Sequence, residues 1–245
     1  MLPIRTDAPR GPRPARLVFG LIAVCAAVFL LQQSLPPRAA LAFLAEHALV
    51  PRRYADPLWA RVNGLDPDDH LPLVTMAFLH GGWLHLLFNM WTLWLFGRAV
   101  EHRLGSFRFG LLYFASALLA SGAQMTVYPT SAVPTLGASG AIAGVLGAHA
   151  ALYPRSKVLL LVPIIVIPLF FRISAFWYVA VWFGLQVLQG AGALTSGQAG
   201  GVAWWAHIGG FLAGLAFVAL LTPPDGPPRR RGPVPAPWGA RPPDA

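Results

Sequence analysis

The chain has 245 residues, of which 56% are hydrophobic and 11% charged, whereas an ordinary soluble domain carries about 25% charged residues. With a mean hydropathy of +0.58 and long uncharged stretches, most of it has to be solvated by lipid, which excludes a water-soluble globule. The net charge of +9 comes from 18 basic and 9 acidic residues, a balance that raises nucleic acid as a partner until the placement of the charges is read.

Residues 1–15 (MLPIRTDAPRGPRPA) are Pro-, Gly- and Arg-rich with almost no apolar periodicity and are expected to form a disordered tail. Residues 16–221 form the predicted membrane domain. Within it, apolar runs at roughly 17–35, 83–100, 108–128, 139–153, 173–190 and 203–221 mostly approach the ~20 residues that a spanning helix needs. The fold class they predict is all-α, a polytopic bundle of six transmembrane helices. The first run follows Arg5, Arg10, Arg13 and Arg16; it reads as a span, because a signal-peptide cut at Ala40-Leu41-Ala42 would fall well beyond it. Cys25 is the only cysteine and sits mid-span, which leaves no intramolecular disulfide and no Cys-based metal cluster.

Segment 158–171 (VLLLVPIIVIPLFF) is apolar enough to resemble a further span. At about 1.5 Å per residue it would reach only about 21 Å across a core of about 30 Å, and Pro163 and Pro168 interrupt any helix. An interfacial hairpin or extended segment is expected. Residues 222–245 read as a second disordered tail, rich in Pro and Arg.

Six spans put both tails on one side, and 14 of the 18 basic residues share that side. The other four, Arg38, Arg52, Arg53 and Arg61, lie in the 36–70 loop beside Glu46, Asp56, Asp66, Asp68 and Asp69. The expected topology therefore has both termini in the cytoplasm, in a cell (inner) membrane. The positive charge needs no nucleic acid, and Arg229-Arg230-Arg231 is expected to touch anionic lipid or anchor orientation.

Strongly polar residues within spans are costly and are site candidates. They are His85 and Asn89 in the second run, with His80 just before it, Ser139 at the start of the fourth, and His207 in the sixth. The second, fourth and sixth runs all point inward from the outer face and carry these residues near their N-terminal ends, so the four share a depth. His85 and Asn89, four apart, lie on one helix face. From Ser139 to the Tyr153-Pro154 stop the fourth run is only about 22 Å long, so Ser139 should begin below the outer lipid boundary, reached by a water-filled recess.

Gly140 and Gly144 on the fourth run, and Gly210 and Gly214 on the sixth, make small faces that let helix backbones approach closely. Packing them together would set the Ser139 hydroxyl against the His207 imidazole, the minimal activated nucleophile. No carboxylate falls within a run; Glu101 lies about 18 Å deeper than Asn89, so a dyad is predicted. His85 and Asn89 could donate to an oxyanion, aided by the backbone N–H of Ser139 at a helix N-terminus. Each feature has a plainer reading: Ser139 as a helix cap, His207 as a satisfied interior imidazole, His85 and Asn89 as interhelical glue. The conjunction of four complementary groups at one depth favours catalysis. His149, nearer the cytoplasmic end, is expected at the interface, and Trp91, Trp94, Trp177, Trp182, Trp204 and Trp205 in lipid-facing or belt positions.

The motifs HGGWLHLLFN (80–89), Gly137-Ala138-Ser139-Gly140 and Ala206-His207-Ile208-Gly209-Gly210, with Gly97, Glu101 and Gly105 after the second run, resemble those of the rhomboid intramembrane serine proteases. The resemblance covers about 16–221. It implies hydrolysis of peptide bonds in or next to single transmembrane segments, with Ser139 as nucleophile, His207 as general base and acid, and His85, Asn89 and Ser139 forming the oxyanion hole. It implies no metal or other cofactor, and as partners single-span membrane-protein substrates and the bilayer. Phe88 falls where the family has an aromatic at a lateral substrate gate between the second and fifth spans, and 191–202 would be a flexible cap. Two positions depart from the pattern. Leu71-Pro72 stands where relatives often carry a Trp-Arg pair, and Ala143 where some have a tyrosine packed on the imidazole, so another group has to hold His207. The alternatives are a non-catalytic rhomboid-like protein that binds transmembrane clients and a small-solute transporter; the latter would want polar residues through the full depth.

Overall fold

The computed structural model describes residues 2–9, 11, 14–164, 167–195 and 202–224. All six apolar runs are helical: α1 (Arg16–Ser34), α2 (Trp83–Leu104), α3 (Ser106–Val127), α4 (Ser139–Leu152), α5 (Ala175–Thr195) and α6 (Trp204–Leu221). On length and composition α1, α3 and α6 can each cross a membrane, and α2 meets Pro72–Phe78 at a bend of 95°. α5 runs five residues past the expected end, so 191–195 is helix rather than cap loop; the remainder of that loop, 196–201, lies outside the described residues. So does 225–245, most of the expected C-terminal tail.

Burial along α1 shows why its composition is uniformly apolar. Val18, Leu21, Cys25, Phe29 and Gln32 form one buried stripe at helical spacing, while Phe19, Val24, Leu30 and Leu31 are exposed on the other sides. In water such a surface would aggregate; in lipid it is the favoured solvent contact. α4 differs, being buried at every residue from Gly140 to Ala150. It is the central helix, walled by α3 and α6, and its shortness matches a position shielded by protein rather than by bilayer.

Glycine permits that enclosure. A Cβ on Gly210 would overlap the carbonyl oxygen of Gly140, one on Gly214 that of Gly144, and one on Gly144 the Ser116 side chain. The α4 and α6 backbones are thus in direct contact at two successive turns. At the other end of the bundle, Glu101 of α2 is buried, and its two carboxylate oxygens accept from the backbone N–H groups of Leu17 (3.0 Å) and Val18 (2.8 Å). Ser106 Oγ donates to the same carboxylate at 2.6 Å. The first turn of α1 has no side-chain cap of its own, so Glu101 satisfies its orphan donors and complements its dipole.

Segment 158–171 is part of an antiparallel hairpin, β2 (Lys157–Ile164) with β3 (Ile167–Ser174), in which Pro163 faces Pro168. The expected N-terminal tail needs correction here, because Leu2–Thr6 forms a strand, β1, paired antiparallel with β2 in the order β1-β2-β3. The physical reason is edge satisfaction: β2 would otherwise present a row of unpaired N–H and C=O groups. Asp7 Oδ1 accepts from the Lys157 N–H at 2.6 Å, and Trp91 Nε1 donates to the Pro3 carbonyl at 2.7 Å. The helical bundle therefore carries one small sheet.

The 36–70 loop folds around Arg53. This side chain is buried and donates to the carbonyls of Asp66 (2.6 Å) and Glu46 (3.1 Å) and to the Asp69 carboxylate (3.2 Å). Asp56 caps Pro57–Val62 by accepting from the Trp59 N–H; that hydrogen bond, and then Arg52, hold its carboxyl below the usual aspartate range. The loop is bound through Leu49 and Arg52 to Thr135 and Ser131 in the segment leading to α4. Arg53 thus organises the loop where the Trp-Arg pair is absent.

Candidate active site

Ser139 opens α4, and the segment before it is shaped by Gly137, whose φ of +121° is strained for any residue with a side chain. A Cβ there would also lie 2.8 Å from His85 Nε2. Glycine therefore lets the chain pass over the His85 ring and turn at once into the helix. The Gly137 N–H is anchored to the Met76 carbonyl at 2.8 Å.

His207 stands in the first turn of α6, with its Nε2 2.8 Å from Ser139 Oγ. The contact follows from the glycine faces below it: Gly140 and Gly210, one and three residues further on, bring the two backbones together. Its Nδ1 lies 2.7 Å from Gln186 Oε1 of α5. The side chain that holds the imidazole, unnamed on sequence grounds, is thus Gln186. Trp182 and Trp204 flank the ring at centroid distances of 6.1 and 6.2 Å. Both tryptophans, expected in lipid-facing or belt positions, are half-buried and border the imidazole, and Ala143 is buried in α4.

His85 and Asn89 lie in successive turns of α2. The Gly81 N–H donates to His85 Nδ1 at 3.3 Å, which makes Nδ1 the acceptor and leaves the ring hydrogen on Nε2, the atom beside Gly137 and Ser139. Asn89 Nδ2 donates to the His85 carbonyl at 2.9 Å, which engages one of its two hydrogens. The backbone at the entrance to α2 is clamped by Gln32, which accepts from the His80 N–H (3.1 Å) and donates to the His80 carbonyl (3.4 Å).

His85, Asn89, Ser139 and His207 line one cavity of about 460 Å³, together with Thr135, Leu136, Val202 and Ala203. Gln124 of α3 lines it too, buried, with its Oε1 unpartnered among the described residues. It passed unnoticed in the sequence because a lone Gln in α3 has no motif around it. Phe88 is 52% exposed and is not among the cavity-lining residues. His149, expected at the interface, is fully buried against Phe96 and Tyr153 instead, since α4 is enclosed along nearly its whole length.

A hydroxyl facing an imidazole, with a ring N–H, an amide and a helix N-terminus around the same space, is the set of group types that acyl transfer calls for in nucleophilic attack and oxyanion stabilisation. Comparison with known proteins shows the family. The Rhomboid domain model matches residues 67–224. Rhomboid protein 1, mitochondrial, of Saccharomyces cerevisiae is 35% identical over 154 residues, covering 61% of this chain and 40% of that protein. RHOMBOID-like protein 4 of Arabidopsis thaliana is 35% identical over 165 residues, covering 64% and 36%. Rhomboid protease GluP of Bacillus subtilis is 47% identical over 76 residues, covering 31% and 14%. The chain spans less than half the length of these relatives. With its domain match extending from the end of the 36–70 loop to just past α6, this multi-pass helical membrane protein belongs to the Rhomboid family.

Proposed function

We propose that the chain is an intramembrane serine endopeptidase, cleaving peptide bonds in or near the transmembrane segments of single-span membrane proteins. The observation that carries this reading is the 2.8 Å approach of His207 Nε2 to Ser139 Oγ inside an open cavity. Ser139 Oγ attacks the scissile carbonyl carbon while its proton passes to His207 Nε2. The oxyanion that forms accepts from His85 Nε2–H, the free hydrogen of Asn89 Nδ2 and the Ser139 backbone N–H, donors worth about 3 to 4 kcal/mol each when aimed at developing charge. His207 then returns the proton to the leaving amine, and water repeats the sequence on the acyl-enzyme. The relative named as a protease in Bacillus subtilis supports the assignment. With the basic residues sorted as they are, we place both termini in the cytoplasm of a cell (inner) membrane.

The test co-expresses wild type and Ser139→Ala with a tagged single-span reporter. Cleavage is expected with the wild type and lost with the variant; reporter cleaved equally by both would refute the hydrolase reading.

A further inference from the structure

We infer that Gln186 is the positioning residue of the catalytic dyad, standing where a soluble serine hydrolase would place a carboxylate. The inference rests on the Ser139–His207 reading above and names what orients its base.

Gln186 belongs to the narrow buried stripe of α5, with Ala175, Val179 and Gly190. Its companions there are small or apolar, and an amide placed among them is unfavourable without a partner. Its Oε1 meets His207 Nδ1 at 2.7 Å. An amide oxygen can only accept, so the hydrogen of the neutral imidazole sits on Nδ1. Nε2 is then a bare lone pair, and the hydrogen bond to Ser139 Oγ runs from hydroxyl to ring. This is the one tautomer in which His207 can take the serine proton. Without an acceptor at Nδ1 the ring could equally carry its hydrogen on Nε2 and donate to Ser139, which is unproductive.

A neutral amide suits the location. Glu101, the carboxylate of α2, is committed to the first turn of α1, and a carboxylate at position 186 would place a charge in a span at a high desolvation cost. Gln186 supplies the direction of the acceptor without the charge. It therefore orients His207 but stabilises the imidazolium less than a carboxylate would.

That difference defines the experiment. Wild type, Gln186→Leu and Gln186→Glu are purified in detergent, checked for equal melting temperature, and followed across pH by the rate of fluorophosphonate labelling and by cleavage of the single-span reporter in liposomes. Gln186→Leu is expected to lose about 10- to 100-fold in both rates, since misplacing a reacting group by about 1 Å costs up to about 100-fold. Gln186→Glu is expected to keep much of the activity with the acidic limb of its pH profile displaced to higher pH, because the added negative charge favours the imidazolium. A residue that does not touch the imidazole would not move that limb. Gln186→Leu labelling at the wild-type rate, or an unmoved acidic limb in Gln186→Glu, would overturn the inference, and the Glu variant decides alone if the Leu variant fails to fold. Failure of the underlying reading has a different signature, namely a wild type that the probe does not label or reporter cleavage that survives Ser139→Ala.

Discussion

Gly210→Ala tests the link between helix packing and catalysis. A methyl group there would point at the Gly140 peptide, overlapping its carbonyl oxygen and lying 2.8 Å from its carbonyl carbon and 3.4 Å from its Cα. Backbone cannot rotate away as a side chain can, so α4 and α6 have to separate by about 1 Å to restore normal contact. The overpacking should cost roughly 1 to 3 kcal/mol of stability. The same displacement acts three residues from His207 and one from Ser139, and would stretch a 2.8 Å hydrogen bond towards 4 Å. Misplacement on that scale costs about 100-fold in rate. The assay is fluorophosphonate labelling of Ser139 with a thermal melt in the same detergent. Gly122→Ala on α3, where an added methyl meets nothing within 4 Å, is the control and should melt no lower than wild type. Labelling of Gly210→Ala at the wild-type rate would refute the claim that backbone contact between α4 and α6 sets the dyad distance.

The remaining expectations concern the oxyanion donors and two buried charged groups. His85→Ala and Asn89→Ala should each lower reporter cleavage by about 10²- to 10³-fold with little change in melting temperature; near wild-type turnover in both would remove them from the site. Glu101→Ala strands the N–H groups of Leu17 and Val18 and the Ser106 hydroxyl, at about 1 to 3 kcal/mol for each buried unpaired donor. It should lower the melting temperature markedly, and an unchanged melt would show that α1 is capped by other means. Arg53→Met removes the guanidinium that joins Glu46, Asp66 and Asp69. A loss of about 2 to 3 kcal/mol and faster proteolysis within 36–70 are expected, and unaltered proteolysis would mean that the loop is held elsewhere.

Much of the architecture was readable because lipid imposes a simple rule. Every backbone polar group in the hydrocarbon must be bonded within its own segment, so runs of apolar residues at 17–35 and 203–221 could be little else than helices. The shortness of 158–171 and its two prolines likewise excluded a span and pointed to a hairpin. The strand at Leu2–Thr6 was not readable, since five residues in a Pro- and Arg-rich segment acquire their conformation from the edge of β2 and not from their own periodicity. Buried His149 was misplaced for a related reason: hydrophobicity says that a helix is in the membrane, but not which of its faces meets protein.

The candidate site divides along the same line. Ser139, His207, His85 and Asn89 stood out from sequence because an ionisable or strongly polar group in an apolar run is expensive, and the glycine repeats beside two of them marked where backbones could touch. Gln186 and Gln124 are equally buried, yet each is a single amide in a span, a residue that lipid tolerates more readily than a charge. Their roles depend on what lies opposite them on other helices. Composition and spacing determined a membrane bundle with strongly polar side chains near the N-terminal ends of three of its runs. Tertiary structure alone decided which groups face one another, because α5 is joined to the dyad by a hydrogen bond between residues 21 apart in the chain, and no local pattern encodes the rotation that brings them within 2.7 Å.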